Sequence, residues 1–406
     1  MALLRIPTPR LLAQLPLLLA SLAPALHAQG DQLLFWQEPR LDDLAHSQEG
    51  TWPALRESVL EQADAIVQEE KVYSVTFNDR TPPSGNVHDY YSTGPYWWPN
   101  PDTADGLPYV RRDGEFNPER DKVSDREPLH QMIHDVRYCA LAYRLTGEER
   151  YAKQGVKLLR AWFLDPETYM RPNLNHAQAI PGRTNGRGTG IIDAHPLGEL
   201  ADGILVLADS KSLSDADLTA LQEWYQDYFR WLITNDNGRD EASSVNNHGT
   251  AFDLQAASVA HFIGNDDYVR WLLEESVTPR IERQIRSSGA QPEELVRTRT
   301  WSYCTENLEH FYRLALLGLD VDVDLMDHRA SNGASLDRAL GFLLPYVCEP
   351  QEWPYPQETE WDNTFIRNVL AIASGLSDDH EQEIEEAQRC VEEEVPTSLA
   401  PLLRPH

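Results

Sequence analysis

Two short stretches of this sequence hold the side-chain types that acid–base chemistry beside a carboxylate requires. One is Asn246-Asn247-His248-Gly249-Thr250; the other runs from Glu294 through Arg297 and Arg299 to Tyr303. Together they supply an amide, an imidazole, a guanidinium and a phenol. Such groups can take a proton from the carbon next to a carboxylate and expel the neighbouring substituent, which is β-elimination on a uronic acid. Neither stretch is diagnostic alone, because most histidines of a globular chain are ordinary packing or hydrogen-bonding residues.

The elements that must hold these groups read as helical. Apolar positions recur with helical period from Trp52 to Glu70, from Leu129 to Tyr143, and from Leu218 to Leu232 behind a Ser214 cap. Leu145-Thr146-Gly147 followed by Glu148-Glu149, and Ile263-Gly264 followed by Asp266-Asp267, each end one helix with glycine and open the next with acids. No stretch shows strand alternation of comparable length. Repeated antiparallel pairs predict an all-α fold, an (α/α) toroid in the form of an incomplete barrel of helical hairpins.

Three passages break the helical pattern. Residues 73–128 are rich in Pro, Gly, Asp and aromatics, and a loop this long is usually functional. Within it Tyr91 is a candidate substrate contact, and Tyr96, Trp97 and Trp98 read either as a platform for sugar rings or as plugs tying the loop to the body. Residues 172–190 form a Gly-rich rim with amides and two arginines, lacking the Lys-Ser/Thr ending of a phosphate loop. A second aromatic loop runs from Trp353 to Trp361, and the acidic segment from Asp378 to Glu394 reads as a solvated helix.

The 406-residue chain is 41% hydrophobic, normal for a packed globular protein. Arg5 and Arg10, the apolar run Leu11–Leu22 and the Leu26-His27-Ala28 ending form a signal-peptide pattern over residues 1–28, implying export to the periplasm or medium. Residues 29–406 then read as one toroid domain. No later segment offers the about 20 uninterrupted apolar residues of a membrane span. Formal net charge is −30, and loss of Arg5 and Arg10 takes it to −32, which argues against nucleic-acid and anionic-membrane partners. A polyanionic sugar would need the arginines, which far outnumber lysines, gathered in one cleft, where their planar forks grip carboxylates. The four cysteines permit up to two disulfides; their wide spacing lacks a zinc pattern, and at least two are expected as buried thiols. No catalytic metal and no cofactor are expected.

The quoted residues carry a resemblance. The chain resembles the alginate lyase superfamily of polysaccharide lyases, in particular its alginate and glucuronan branch. The matches are Asp89-Tyr90-Tyr91-Ser92 with Pro95-Tyr96-Trp97-Trp98-Pro99, Asn173-Leu174-Asn175 with Ala177 to Gly182, Asn246 to Thr250, and Glu294-Leu295 with Arg297 and Tyr303. This resemblance implies a toroid with a central cleft binding an anionic polysaccharide. It also implies that Asn247 and His248 neutralise the uronate carboxylate, that Tyr303 is acid and base, and that Arg297 lowers its pKa. Gln178, Arg299 and His195 are candidates for substrate binding in the same cleft, His195 being equally readable as a core histidine.

Removing the C5 hydrogen of a uronate loads a second negative charge onto the carboxylate group, so hydrogen bonds from Asn247 and His248 favour the transition state. A phenol of ordinary pKa about 10 needs a nearby cation to act as a base near neutrality. In D-mannuronate or D-glucuronate the C5 hydrogen and O4 lie on one side, so Tyr303 can serve both; in L-guluronate His248 would be the base. On a regular helix Arg297 and Tyr303 point about 120° apart while Arg299 shares the Tyr303 face. Resemblance favours Arg297, geometry Arg299, and Arg297 is preferred on the supposition that regular helix begins near Thr300. Two other classes remain open: a glycoside hydrolase with paired carboxylates among Glu199, Asp202 and Glu306, and a non-catalytic polysaccharide-binding protein.

Overall fold

The computed structural model describes residues 32–405 apart from 378 and 396, so the expected leader lies outside the described residues. Helices α1 (Glu38–His46) and α2 (Trp52–Glu69) are followed by the long loop and the first hairpin, α3 (Arg126–Thr146) and α4 (Glu149–Leu159). Next come α5 (Leu197–Ala208), α6 (Asp215–Thr234), α7 (Asp236–Ala242) and α8 (Asn247–Phe262). Helices α9 (Asp266–Leu272), α10 (Thr278–Gln284) and α11 (Pro292–Leu295) lead to α12 (Thr300–Asp320), and α13 (Leu336–Val347), α14 (Thr364–Leu376) and α15 (Glu381–Glu394) complete the series.

Local chemistry sets the breaks. Gly147 ends α3 at φ 68° and Gly264 follows α8 at φ 75°, left-handed conformations that cost glycine little. Ser214 accepts from the Asp217 N–H while the Asp217 carboxylate accepts from the Ser214 N–H, a reciprocal cap that starts α6.

Inner helices α3, α5, α8, α12 and α14 pack side by side in chain order, with α4, α6, α9, α13 and α15 outside them. Between α14 and α3 the ring is completed by α2, α1 and the turn Ala400–Leu403, which packs on both α14 and α1. The Gln37 N–H donates to the Leu402 carbonyl at 2.9 Å across that seam. This is the helical toroid that the repeated hairpins predict. Among the described residues four short strands form two pairs: β1 (Tyr91–Thr93) pairs parallel with β4 (His176–Ala179), and β2 (Trp97–Trp98) antiparallel with β3 (Val110–Arg111).

Helices α8 and α12 are buried almost all round, from Asn247 to Phe262 and from Thr300 to Gly318. A helix without a solvated face belongs in the middle of a fold, and these two run through it. The acidic C-terminal segment does form a helix, but not a freely solvated one: Ile384, Ala387 and Val391 of α15 are buried. A disulfide, Cys348–Cys390, fastens α15 to the end of α13, while Cys139 and Cys304 are buried thiols. Closing a loop of 42 residues constrains the unfolded chain. Replacing both cysteines by serine is expected to lower unfolding stability by about 2–4 kcal/mol, measured by denaturant titration.

Candidate active site

The N-terminal ends of α8 and α12 open onto one cleft of about 600 Å³. Asn247 and His248 are the first two residues of α8; Tyr303 stands in the first turn of α12. Both helices turn the positive ends of their dipoles toward the same space, which favours an anion there. Gly249 keeps the start of α8 tight, since a Cβ at that position would lie 2.2 Å from the Ser244 carbonyl and 2.1 Å from Arg280.

At the catalytic end, Arg297 Nη2 donates to the Tyr303 hydroxyl at 3.3 Å, and the guanidinium lies 4.4 Å from the ring centre. Regular helix begins at Thr300, so Arg297 is free of helical phase and bends back over the phenol. Arg299 sits farther off, 5.8 Å from the same ring, and donates to Thr359. The Tyr303 hydroxyl also shares a 2.8 Å hydrogen bond with that of Tyr96, and Asp113 reaches Arg297 at 3.4 Å. The long loop therefore lands directly on the phenol and its cation.

These contacts set the resting proton. Burial and then the Tyr96 hydroxyl push the Tyr303 phenol up, against the pull of Arg297 and Arg299. The free cleft thus holds the phenol protonated, ready to act as an acid. His248 Nδ1 lies 2.6 Å from Glu241, which leaves Nε2 as the nitrogen for the cleft. Burial disfavours its cation, but Glu241, with Glu306 and Glu294 behind it, overcomes this and raises the imidazole above its ordinary value.

Asn247 is held from two sides: its backbone N–H donates to Glu294 at 2.6 Å and its amide Nδ2 to Glu306 at 3.2 Å. Burial, then Glu306, push the Glu294 carboxyl up to about 7, against the Asn247 N–H, Arg297 and His248. The folded protein accordingly binds a proton there that the unfolded chain releases from about pH 4.5 upward. Stability from this group is complete below pH about 4.5 and falls by up to about 3 kcal/mol as pH rises toward 7. Glu294→Gln, which keeps an acceptor for Asn247, is expected to flatten that part of the stability curve, measured by thermal unfolding across pH 4–8.

The cleft collects six arginines, Arg111, Arg120, Arg126, Arg187, Arg297 and Arg299, and no lysine. Tyr96, Trp97, Gln178 and His195 line it as well. Gln178 does not present a free amide: it donates to Asp193 at 3.0 Å and accepts from Arg187 at 2.6 Å, so it fixes Arg187. It does this from φ 46°, a strained backbone for a non-glycine residue, held by the Ser92 hydroxyl on its N–H. His195 is tied by Nδ1 to the Ile192 carbonyl at 2.8 Å.

Two expected sugar contacts are corrected. Tyr91 is 2% exposed and lies outside the cleft lining, because it points inward from β1, so it is a plug rather than a platform. Trp98 also faces away, donating from Nε1 to the Glu115 carbonyl and stacking with Arg112. Of the carboxylates considered for a hydrolase, Glu199 is paired with Arg137 and Arg313, and Asp202 accepts from the backbone of residues 34–36. Only Glu306 reaches the cleft. Sequence reasoning missed Glu241, at the end of α7, and Asp113, in the long loop, and named Arg187 only as one of two arginines on a rim; no periodicity marks any of the three.

A family profile described as alginate lyase matches residues 74–353. An alginate lyase from Bacteroides ovatus superposes with a TM-score of 0.84 at 33% identity, covering 91% of this chain and 99% of that one. Alginate lyase A1-III from Sphingomonas species A1 superposes at 0.55 with 16% identity over 87% and 91% of the two chains, a likeness of fold. A variant of that second lyase, complexed with a tetrasaccharide, superposes at 0.54 with 16% identity over 84% and 87%. No curated protein sequence matches the chain.

Proposed function

The chain belongs to the alginate lyase family of polysaccharide lyases, and from that premise we propose that it cleaves mannuronate-rich alginate or glucuronan by β-elimination. The observation that carries this reading is the convergence of Tyr303, Arg297, Asn247 and His248 at two helix N-termini inside an arginine-lined cleft.

In the proposed reaction the uronate carboxylate rests on the Asn247 amide and His248 Nε2, which hold the charge that grows on it as C5 loses its proton. After docking, Tyr303 gives up its own proton to solvent, and the phenolate takes the C5 proton and returns it to O4 as the C4–O4 bond breaks. Charge balances, because the phenolate ends as it began. A sugar oxygen that displaces Tyr96 removes one influence that keeps the phenol protonated, and leaves the two guanidiniums that favour phenolate. A second reading is favoured by the His248–Glu241 contact: an imidazole oriented by a carboxylate is also built to be a base. On L-guluronate His248 would then take the C5 proton from one face while Tyr303 protonates O4 from the other. The signal-peptide pattern of residues 1–28 supports export as part of this proposal.

Ultraviolet absorbance followed with glucuronan, polymannuronate, polyguluronate and a neutral glucan tests it, since elimination leaves an unsaturated, absorbing sugar. Absorbance is expected to rise on a D-configured polyuronate. A rise on polyguluronate alone would assign the base to His248, and silence on every polyuronate would sink the substrate assignment.

A further inference from the structure

Most buried acids of this chain are matched by a cation or by several N–H groups. Glu199 lies 2.6 Å from Arg137, Asp253 2.7 Å from Arg280 and Glu241 2.6 Å from His248. Asp202 accepts from the backbone N–H groups of Leu34, Phe35 and Trp36. Glu306 differs. Its Oε2 accepts a single N–H, from Asn247 at 3.2 Å, and among the described residues no cation stands within ion-pair distance and no hydrogen bond reaches Oε1. Yet Glu306 lines the cleft, one turn along α12 from Tyr303 and on the amide that the substrate carboxylate needs.

A uronate held by Asn247 and His248 therefore comes to rest beside a carboxylate that has no counterion. Two carboxylates sharing one set of donors do not both stay ionised. We propose that Glu306 binds the substrate as a neutral carboxylic acid, taking one proton from solvent onto Oε1 as the uronate docks and donating it in a hydrogen bond to the uronate carboxylate. Oε2 meanwhile keeps its bond from Asn247, so the amide orientation is preserved. The inference rests on the uronan reading above and specifies how that site tolerates its substrate's charge.

The surroundings agree. Burial raises the Glu306 carboxyl, and Glu309 adds to this, while His195, His248 and Arg299 oppose it. Glu294, on the other side of Asn247, disfavours a second anion there. Along the same face of α12, Tyr303 is protonated and burial holds His310 neutral, so neither supplies a positive charge. Asp362 is a further acid of the lining.

The test compares KM against pH for the wild type and Glu306→Gln on the polyuronate that is turned over. Glutamine keeps the shape, one acceptor and a permanent donor, so it mimics the protonated acid. The wild-type KM is expected to climb about tenfold per pH unit on the alkaline side of the Glu306 titration, the slope of a single required proton. Glu306→Gln is expected to flatten that climb and to bind more tightly than the wild type at alkaline pH. An equally steep climb in the variant, or loss of binding at every pH with thermal unfolding unchanged, would overturn the proposal. A measurement that leaves Glu306 in place is calorimetry of oligouronate binding to Tyr303→Phe in buffers of different ionisation enthalpy. Uptake near one proton per site is expected. Binding without uptake overturns the role of Glu306 alone, whereas absence of both binding and turnover on every uronan overturns the substrate reading and this proposal with it.

Discussion

Tyr303→Phe is expected to lower kcat toward the upper end of the about 10²–10⁴-fold range of acid–base catalysis, with KM changed only a few-fold. One oxygen atom carries both proton transfers in the proposed reaction, and no neighbour can stand in. Tyr96 shares the hydrogen bond at 2.8 Å, but Arg297 stacks on the Tyr303 ring and donates to the Tyr303 hydroxyl. Phenylalanine keeps the ring and therefore the packing of α12, so the loss should appear in the chemical step. Steady-state kinetics with circular dichroism of the variant checks both halves. A variant retaining a tenth or more of wild-type kcat would remove Tyr303 from the mechanism.

Asn247→Ala is expected to lower kcat by about 10²–10³-fold, the usual cost of deleting one preorganised donor to a developing oxyanion. The amide's value lies in the enolate-like transition state, where the carboxylate group carries more charge than in the ground state, so the loss belongs in kcat more than in KM. The fold should survive. The Asn247 contact to Glu294 comes from the backbone N–H and is kept by alanine, so the start of α8 stays anchored. A loss confined to KM would mean that Asn247 only binds.

Much of this arrangement was legible in the sequence, and the reasons differ by residue. Helical period and glycine stops gave the hairpins because a buried stripe and a left-handed cap each require particular residues at particular spacings. The choice between Arg297 and Arg299 turned on where α12 begins, and Thr300 as its first residue puts Arg297 on the phenol. Composition could not separate Tyr91 from Tyr96. The two differ only in facing inward from β1 or standing over the cleft, and a three-residue strand leaves too little alternation to read. Glu241 was hidden because the chain turns between α7 and α8, so its seven-residue separation from His248 follows no helical rule. Glu306 was visible only as one acid among many in a chain of net charge −30; its distinction is a cation-free place on the cleft wall against the Asn247 amide, which is a property of three-dimensional neighbours.

That same charge, set against the six arginines of the cleft, divides the electrostatics of polymer capture by range. Beyond a Debye length of about 8–10 Å the chain repels a polyanion, and dissolved ions weaken that repulsion. Inside the cleft the attraction comes from guanidiniums and helix ends at contact distance, where ions screen far less. Ionic strength therefore governs how readily a strand arrives more than how firmly it is held. Segments protruding from the cleft remain on a repelling surface, which favours departure of a cut strand over its recapture.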